Sequence, residues 1–221
     1  MPKEHPHIVI AIDGPAASGK SSVARALARK LRYVYVNTGA MYRAVTWLAL
    51  EKGVPPLDAG RVQQLLHFTE MECGVRDGES TILLDGVDPG PHLVSQGVNA
   101  NVSAIASIPD VRRLLVRKQR AYAFDYDVVM EGRDIGSAVF PETPYKFYID
   151  ASAEVRALRR AKQGLQDSIA SRDKQDSTRR ASPLIIAEDA HVIDSSNLTV
   201  EGVTGEIFGR LKQKGLPLGE L

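Results

Sequence analysis

Short apolar runs alternate along this chain with longer stretches of helical periodicity. Five runs of strand length, rich in β-branched and aromatic residues, lie at 8–12, 33–36, 127–130, 146–150 and 191–194. The first and third runs are largely apolar, as expected for strands that a parallel sheet buries on both faces. The pattern therefore predicts an α/β fold in which helices flank a parallel sheet.

Polar residues mark where several of the predicted helices begin. Thr38 is placed to cap a helix at 39–52, and Asp58 can cap another that ends near Phe68. The stretch 95–108 is rich in Asn, Ser and Ala and gives only a mixed pattern. The sequence thus predicts most helix starts but leaves this stretch unassigned.

The strongest local signal is the loop after the first apolar run. Residues 14–21 fit the pattern G-x-x-x-x-G-K-[ST] between a predicted strand and a predicted helix. Gly14 and Gly19 allow successive N–H groups to face phosphate oxygens, and the helix adds its positive dipole end. Lys20 can reach the β- and γ-phosphates, and Ser21 can offer its hydroxyl to Mg²⁺. The flanking strand and helix disfavour the alternative, an ordinary Gly-rich turn.

This loop supplies the first candidate site, which would bind a nucleoside triphosphate together with Mg²⁺. The candidate nucleotide-binding residues are Gly14, Pro15, Ala16, Ala17, Ser18, Gly19, Lys20, Ser21 and Ser22. Ser21 is the candidate metal ligand.

Two stretches depart from the α/β alternation. Residues 71–75 and 81–84 predict two strands of a hairpin inserted between α/β units. The stretch 154–180 carries eight basic and four acidic side chains, which suits either a solvated helix face or a lid over a ligand. We expect a P-loop NTPase-type parallel sheet core with a small antiparallel β insertion and a short helical lid. The expected division is a core at about 6–37, 109–153 and 182–214, an insertion at about 38–108 and a lid at about 154–181.

Two charged residues stand near predicted strand ends. Arg43 follows the second strand by one helical turn, so we expect it to meet a phosphate rather than remain a surface charge. Glu131 ends the strand at 127–130, where an acid can lie near a metal, although an ordinary polar strand end is the alternative.

Composition narrows the classes of partner. A formal net charge of +1 over 221 residues provides no global field for nucleic acid or an anionic membrane, so we expect neither partner. Cys73 is the only cysteine, which excludes an intramolecular disulfide and suits the cytoplasm. The run at 8–12 is too short for a membrane span or a signal peptide, and we expect neither. Because no long apolar stripe is left over, we expect a monomer.

Taken together, these motifs resemble one known family. The chain resembles the bacterial cytidylate kinases, which are P-loop nucleoside monophosphate kinases. The matching segments follow the family order at 12–21, 38–43, 109–120, 131–141 and 172–184. The resemblance implies that ATP with Mg²⁺ phosphorylates CMP or dCMP, and that the insertion binds the monophosphate.

The resemblance also implies roles for single residues on the phosphate path. Arg43, Arg133 and Arg179 would hold the CMP phosphate and the transferred group, and with Lys20 they form the candidate catalytic set. Always-charged guanidinium groups suit the charge that develops in phosphoryl transfer. Thr38, which begins a matching segment, belongs to the candidate substrate site.

Further matched positions would bind the rest of the nucleotide. Cytosine presents one donor beside two acceptors, and Asp134, Arg112 and Ser103 supply the complementary groups at the family positions. Arg172 and Asp176 match the residues that hold the ribose, at a spacing that puts them with Arg179 on one helix face.

The lid departs from the family pattern. Arg156 and Arg160, one helical turn apart, resemble the pair that meets ATP. Only residues 161–171 separate this region from Arg172, where a longer helical hairpin is familiar. We therefore expect a shorter lid.

Three other classes of function fit these features less well. A uridylate, shikimate or nucleoside kinase would leave the hairpin unexplained. A GTPase-like switch would need Asn-Lys-x-Asp and Asp-x-x-Gly signals, which the sequence lacks. An ATP-binding protein without catalysis would leave the set of arginines unexplained.

Overall fold

A computed structural model describes residues 7–162, 169–179 and 183–217. In these ranges seven strands form one sheet in the order β3-β4-β2-β5-β1-β6-β7. All neighbouring strands are parallel except β3 and β4. The strands are β1 (Val9–Asp13), β2 (Val34–Asn37), β3 (Met71–Arg76), β4 (Glu79–Leu84), β5 (Val128–Gly132), β6 (Tyr145–Asp150) and β7 (His191–Asp194).

Helices connect and cover these strands. They are α1 (Lys20–Leu31), α2 (Thr38–Glu51), α3 (Ala59–His67), α4 (Gln96–Ser107), α5 (Pro109–Asp125), α6 (Ala153–Lys162), α7 (Ile169–Thr178) and α8 (Val200–Gln213). A short 3₁₀ turn lies at Gly90–His92 and a π-helical turn at Ile135–Val139. The architecture confirms the predicted α/β fold with a mostly parallel sheet.

The central strands bury both of their faces. Every residue of β1 and β5 is buried, as their apolar sequences predict. Alternate residues serve opposite layers: Ile10 and Ile12 pack with α1 and α8, whereas Val9 and Ala11 pack in a cluster on the other face. Each large side chain buried in this way contributes about 1.5–3 kcal/mol. This packing makes the sheet a rigid base for the residues at its edge.

The carboxyl ends of three strands meet at one edge of the sheet. In the strand register, Asp13 lies beside Gly132 and Asn37 lies beside Glu131. The chain leaves this edge through the 14–19 loop, through α2 and through the segment after Gly132. The fold therefore brings three distant stretches of sequence together, as parallel α/β sheets do at their carboxyl ends.

The predicted hairpin is present and also extends the sheet. Strands β3 and β4 pair in antiparallel fashion through the turn Asp77-Gly78, both of whose residues have positive φ (53° and 74°). Tyr35 of β2 pairs in parallel with Glu79 of β4. The hairpin is thus continuous with the main sheet.

Two local expectations differ from the structure. The mixed stretch 95–108 forms helix α4, which buries Val98, Val102 and Ile105 at helical spacing. The cap of α2 is Asn37, whose side chain accepts from the N–H of Ala40, so the prediction of Thr38 as cap was wrong by one residue. None of the helices in the described ranges combines the length and apolar composition that a bilayer crossing requires.

Candidate active site

A cleft of about 780 Å³ opens at the carboxyl edge of the sheet. Its walls come from the 14–22 loop, the segment after β5 and helices α2, α4, α5, α6 and α7. Arg43, Arg133 and Arg179, which lie far apart in sequence, all line it. The cleft is therefore a shared cavity for side chains from most of the chain.

Positive backbone angles shape the loop at the base of the cleft. Gly14 has φ 152°, and a Cβ there would collide with the carbonyl oxygen of Ile149. Gly19 has φ 90° directly before α1, and Ala17 also has positive φ. Only glycine fits the close approach at position 14. The loop thus curls above the N-terminus of α1, where N–H groups and the helix dipole favour an anion.

Lys20 and Ser21 begin α1 inside the cleft. Lys20 is buried, and its Nζ donates to the carbonyl oxygen of Pro15 at 2.9 Å. The Ser21 hydroxyl donates to Glu131 Oε1 at 2.8 Å. The Tyr35 hydroxyl lies 3.3 Å from the same carboxylate oxygen, and burial together with Glu131 raises the pKa of Tyr35. Two oxygen groups, a hydroxyl and a carboxylate, therefore stand together beside the loop.

Thr38 begins α2 and lines the cleft beside the end of β5. Its hydroxyl donates to the carbonyl oxygen of Glu131 at 2.8 Å, and its side chain faces Gly132 so closely that a Cβ on Gly132 would clash. Arg43 follows on the same helix and lines the cleft. The contact fixes the start of α2 against the end of β5.

A buried group of charges surrounds Asp134. Arg112 pairs with one carboxylate oxygen through Nη2, and Arg179 Nη2 lies 3.6 Å from the other. The Arg112 guanidinium also lies 5.6 Å from the centre of the Tyr42 ring. Burial lowers the pKa of Arg179, and the charge of Asp134 opposes that effect. One carboxylate thus holds two arginines from different elements.

Arg133 pairs with the lid. Its Nε donates to Asp176 Oδ2 at 2.8 Å. Burial alone would lower the pKa of Arg133, but the charges of Asp176, Glu131 and Asp173 together outweigh burial and leave that pKa raised. Asp176 lies in the last turn of α7, whereas Arg179 follows the helix, which ends at Thr178. Asp176 and Arg179 therefore connect the end of α7 to the segment after β5.

Most of the candidate residues meet in the cleft. Those lining it are Ala16, Ala17, Gly19, Lys20, Ser21, Ser22, Thr38, Arg43, Ser103, Arg112, Arg133, Asp134, Arg160, Asp176 and Arg179. Gly14, Pro15 and Ser18 lie in the loop but outside that lining. Arg172 lies on α7, and its side chain lies outside the described residues.

Arg156, a candidate contact for ATP, does not line the cleft. Its Nη1 donates to Asp173 Oδ2 at 2.6 Å and lies 3.4 Å from the carbonyl oxygen of Ala16. Its Nε donates to the carbonyl oxygen of Ala151 at 3.0 Å. Arg156 therefore ties the lid to the back of the loop.

Sequence reasoning missed two residues that brace the loop. Arg159 Nη1 donates to the carbonyl oxygen of Ser18 and to the Ser195 hydroxyl, and its Nη2 donates to the carbonyl oxygen of Ser195. The Asp13 carboxylate accepts the N–H groups of Ile135 and Gly136, each at 2.8 Å. A buried acid directly before the loop is a signal for Asp13, whereas the contacts of Arg159 are visible only in three dimensions.

Burial controls the charge of Asp13. Burial raises the pKa of Asp13 to about 7, although the two N–H donors lower that pKa. The charge of Asp134 raises the pKa further, and Lys20 lowers it. The pKa of Asp13 thus depends on charges both in the loop, at Lys20, and in the segment after β5, at Asp134.

Comparisons with known proteins identify the family of this chain. The family model described as cytidylate kinase matches residues 10–213. A cytidylate kinase from Limosilactobacillus reuteri (strain DSM 20016) is 41% identical over 216 residues, which cover 92% of this chain and 95% of the relative. A cytidylate kinase from Clostridium botulinum (strain Langeland / NCTC 10281 / Type F) is 41% identical over 218 residues, covering 94% and 99%.

Among solved structures, a shikimate kinase from Acinetobacter baumannii aligns over 96% of this chain and 97% of its own, with TM-score 0.49 and 12% identity. That likeness is too distant to bear on substrate. The family model and the two relatives each extend over nearly the whole chain, including the loop, the hairpin and the segment after β5. This chain therefore belongs to the cytidylate kinase family.

Proposed function

We propose that this enzyme transfers the γ-phosphoryl group of ATP to CMP or dCMP, giving ADP and CDP or dCDP. The observation that carries the proposal is the convergence of Arg43, Arg133 and Arg179 on one cleft with Lys20 and the Arg112–Asp134 pair. Phosphoryl transfer requires in-line positioning and positive charge around the moving group more than covalent help. A cleft with a phosphate-binding loop at its base and guanidinium groups around it meets that requirement.

The donor side of the cleft consists of residues 14–22 and the start of α1. Backbone N–H groups of the loop would hold the ATP phosphates, and the Lys20 ammonium would leave the carbonyl of Pro15 to reach them. Arg156 and Arg160 would contribute from the lid. The positive φ values at Gly14 and Gly19 support this use of the backbone.

The acceptor side consists of Arg43, Arg112, Arg133, Asp134 and Arg179. Arg43, Arg133 and Arg179 would hold the monophosphate and the transferred group, with Thr38 at the same wall. Asp134 would accept from the cytosine amino group, while Arg112 and Ser103 would donate to its acceptors. Arg112 pairs with one carboxylate oxygen of Asp134, and the other oxygen lies 3.6 Å from Arg179 Nη2.

The ribose contacts are assigned to Arg172 and Asp176. Asp176 lines the cleft and already accepts from Arg133, so it lies within reach of a nucleotide held by that arginine.

The residues beside Lys20 fit a bound Mg²⁺. Hard cations prefer oxygen ligands, and the Ser21 hydroxyl stands 2.8 Å from Glu131 Oε1. Ser21 would ligate the ion directly and Glu131 would support it from the neighbouring position. When bound, Mg²⁺ would neutralise charge on the β- and γ-phosphates.

We further propose that the chain works as a core (about 6–37, 109–153 and 182–214) with two attachments. The insertion (about 38–108) would bind the monophosphate, and the lid (about 154–181) would close over both nucleotides. The pairs Arg133–Asp176 and Arg179–Asp134 support this division because they join the lid to the acceptor side. Closure would exclude water and so limit ATP hydrolysis.

The direct test is coupled ADP release with CMP, dCMP, UMP and AMP as acceptors, with and without Mg²⁺. We expect CMP and dCMP to be preferred, and chelation of Mg²⁺ to abolish turnover. Equal or faster turnover of AMP would refute the proposal, and a preference for UMP would support a uridylate kinase instead.

We propose that the enzyme acts as a cytoplasmic monomer on free nucleotides, without nucleic acid. The formal net charge of +1 and the single cysteine support this setting. Size-exclusion chromatography at micromolar concentration tests the monomer: elution at twice the mass of 24.1 kDa would contradict it.

A further inference from the structure

Asn99 lies in the first turns of α4, where the insertion approaches the lid. Its side chain is buried, at 6% exposure, and lines the cleft. The amide Nδ2 donates to the carbonyl oxygens of Val94 at 2.8 Å and Ser95 at 3.1 Å. Because these two bonds use the donors of the amide, the orientation of the side chain is fixed and Oδ1 points away from them.

That oxygen accepts from the lid. Arg160 Nη2 of α6 lies 3.3 Å from Asn99 Oδ1, and Arg160 is itself 7% exposed and lines the cleft. Arg160 has other interactions as well. A hydrogen bond from a guanidinium is stronger than one between neutral groups, and burial strengthens it further. This contact therefore links the insertion to a lid arginine at the cleft surface.

We propose that Asn99 is a positioning residue that orients Arg160 for phosphoryl transfer. The inference rests on the proposed function. Val102, Ser103 and Ala106 continue the same wall of α4 along the cleft, so a nucleotide in the acceptor side contacts the helix that holds Arg160. Asn99 thereby couples the filling of the acceptor side to the placement of a cation from the lid.

The same helix contains a matched control. Asn101 is also an asparagine in α4, but it is only partly buried, and its Nδ2 donates to the carbonyl oxygen of Gly97 at 2.9 Å within the helix. Asn101→Ala therefore removes an asparagine and one local hydrogen bond from α4 without changing the contact with the lid.

The test is a double-mutant cycle on the full chain, with kcat and KM for ATP and CMP measured in one coupled assay. We expect Asn99→Ala to lower kcat roughly tenfold, as the loss of one charge-assisted bond at the transition state predicts. Asn101→Ala should stay within about twofold of the wild type. In an Arg160→Ala background, Asn99→Ala should change kcat by less than about twofold, because the group it positions is gone.

A structural role of Asn99 gives a different result. If Asn99 only anchors the 94–95 turn, its effect and that of Arg160→Ala multiply, and the inference is overturned; equal rates for Asn99→Ala and Asn101→Ala overturn it too. Asn99→Asp is the second variant if the alanine variant does not fold. One carboxylate oxygen of this variant still accepts from Arg160, but the other replaces the amide donor and faces the carbonyl oxygens of Val94 and Ser95. We therefore expect near-wild-type kcat and a raised KM for CMP. A tenfold loss of kcat would count against the inference.

The wild type separates this inference from the proposed function. No turnover of CMP by the wild-type enzyme would refute the proposed function itself. Wild-type turnover of CMP with multiplicative effects in the cycle would refute only the role of Asn99.

Discussion

The donor side and the acceptor side of the cleft are built in opposite ways. The proposed donor side is one continuous loop with positive φ at Gly14, Ala17 and Gly19, which leads into the N-terminus of α1. The acceptor side is made of side chains from α2, α5, the segment after β5 and the end of the lid. A ligand on the donor side therefore meets groups fixed by local geometry, whereas a ligand on the acceptor side meets groups fixed by the whole fold.

The two sides also manage charge differently. On the acceptor side, Arg112 and Arg179 share Asp134, and Arg133 pairs with Asp176 from the lid. Buried arginines need such partners, because an uncompensated buried charge costs several kcal/mol. The comparison predicts that donor-side changes alter rate alone, and that acceptor-side changes alter which nucleotide is accepted.

Lys20→Ala, on the donor side, is expected to cause the largest loss of activity. It removes the cation nearest the β- and γ-phosphates, so we expect kcat/KM to fall by about 10³, as for other groups that stabilise charge in the transition state. Because we assign Lys20 to the ATP phosphates and not to the acceptor base, the ratio of CMP to UMP turnover should stay unchanged. Steady-state kinetics with both acceptors measure the two quantities.

The control for this variant is Lys52→Ala, which removes an exposed lysine at the end of α2. Its kinetics should match those of the wild type. A changed CMP-to-UMP ratio in Lys20→Ala would show that the two sides are not separate in function.

The same contrast explains how far sequence reasoning reached. The strands and the 14–21 loop could be predicted because their signals are local: buried apolar runs, glycines at positive φ and a fixed spacing to Lys20. The interaction of Arg133 with Asp176 joins residues 43 positions apart, and only the resemblance to a family linked them beforehand. Their roles in binding stay predictions.

Helix α4 shows a different limit. Its apolar residues Val98, Val102 and Ile105 have helical spacing, but small and polar neighbours hid the period. With α4 unassigned, Asn99 could not be placed opposite Arg160. The contact depends on how the insertion packs against the lid, which no local pattern in either segment encodes.

Asp134→Asn is the corresponding substitution on the acceptor side. We expect kcat/KM for CMP to fall by about 10², because an amide cannot replace the charged acceptor for the cytosine amino group. The Asn amide can donate, so UMP should gain relative to CMP. The dissociation constant of ATP should change by less than about twofold. Acceptor kinetics together with equilibrium ATP binding measure these effects.

Asp173→Asn is the control for that variant. Asp173 pairs with Arg156 at 2.6 Å and does not belong to the described cleft lining, so its replacement removes an ion pair between α6 and α7 and leaves every residue of that lining in place. Thermal unfolding verifies that Asp134→Asn remains folded. An unchanged preference for CMP over UMP in folded Asp134→Asn would refute the assignment of Asp134 to the base.

Asp13 joins the two sides, and Asp13→Asn gives the smallest expected effect. The pKa of Asp13 is about 7 in the folded protein because burial raises it from 3.8. The folded state therefore binds a proton that the unfolded state has released, and the free energy of unfolding falls as pH rises from about 4 to about 7. Between pH 6 and pH 8 this loss is about 1.4 kcal/mol.

Asparagine resembles the protonated acid and does not titrate, so Asp13→Asn should lack this loss. Urea unfolding of both proteins at pH 6 and pH 8 measures this effect. Relative to the wild type, the free energy of unfolding of the variant should rise by about 1.4 kcal/mol between pH 6 and pH 8. The exposed Asp125→Asn is the matched control and should show no such shift. A constant difference for Asp13→Asn across this range would mean that Asp13 is already charged at pH 6. The two N–H groups of Ile135 and Gly136 would then determine its charge more than burial does, and the link between the two sides would not respond to pH.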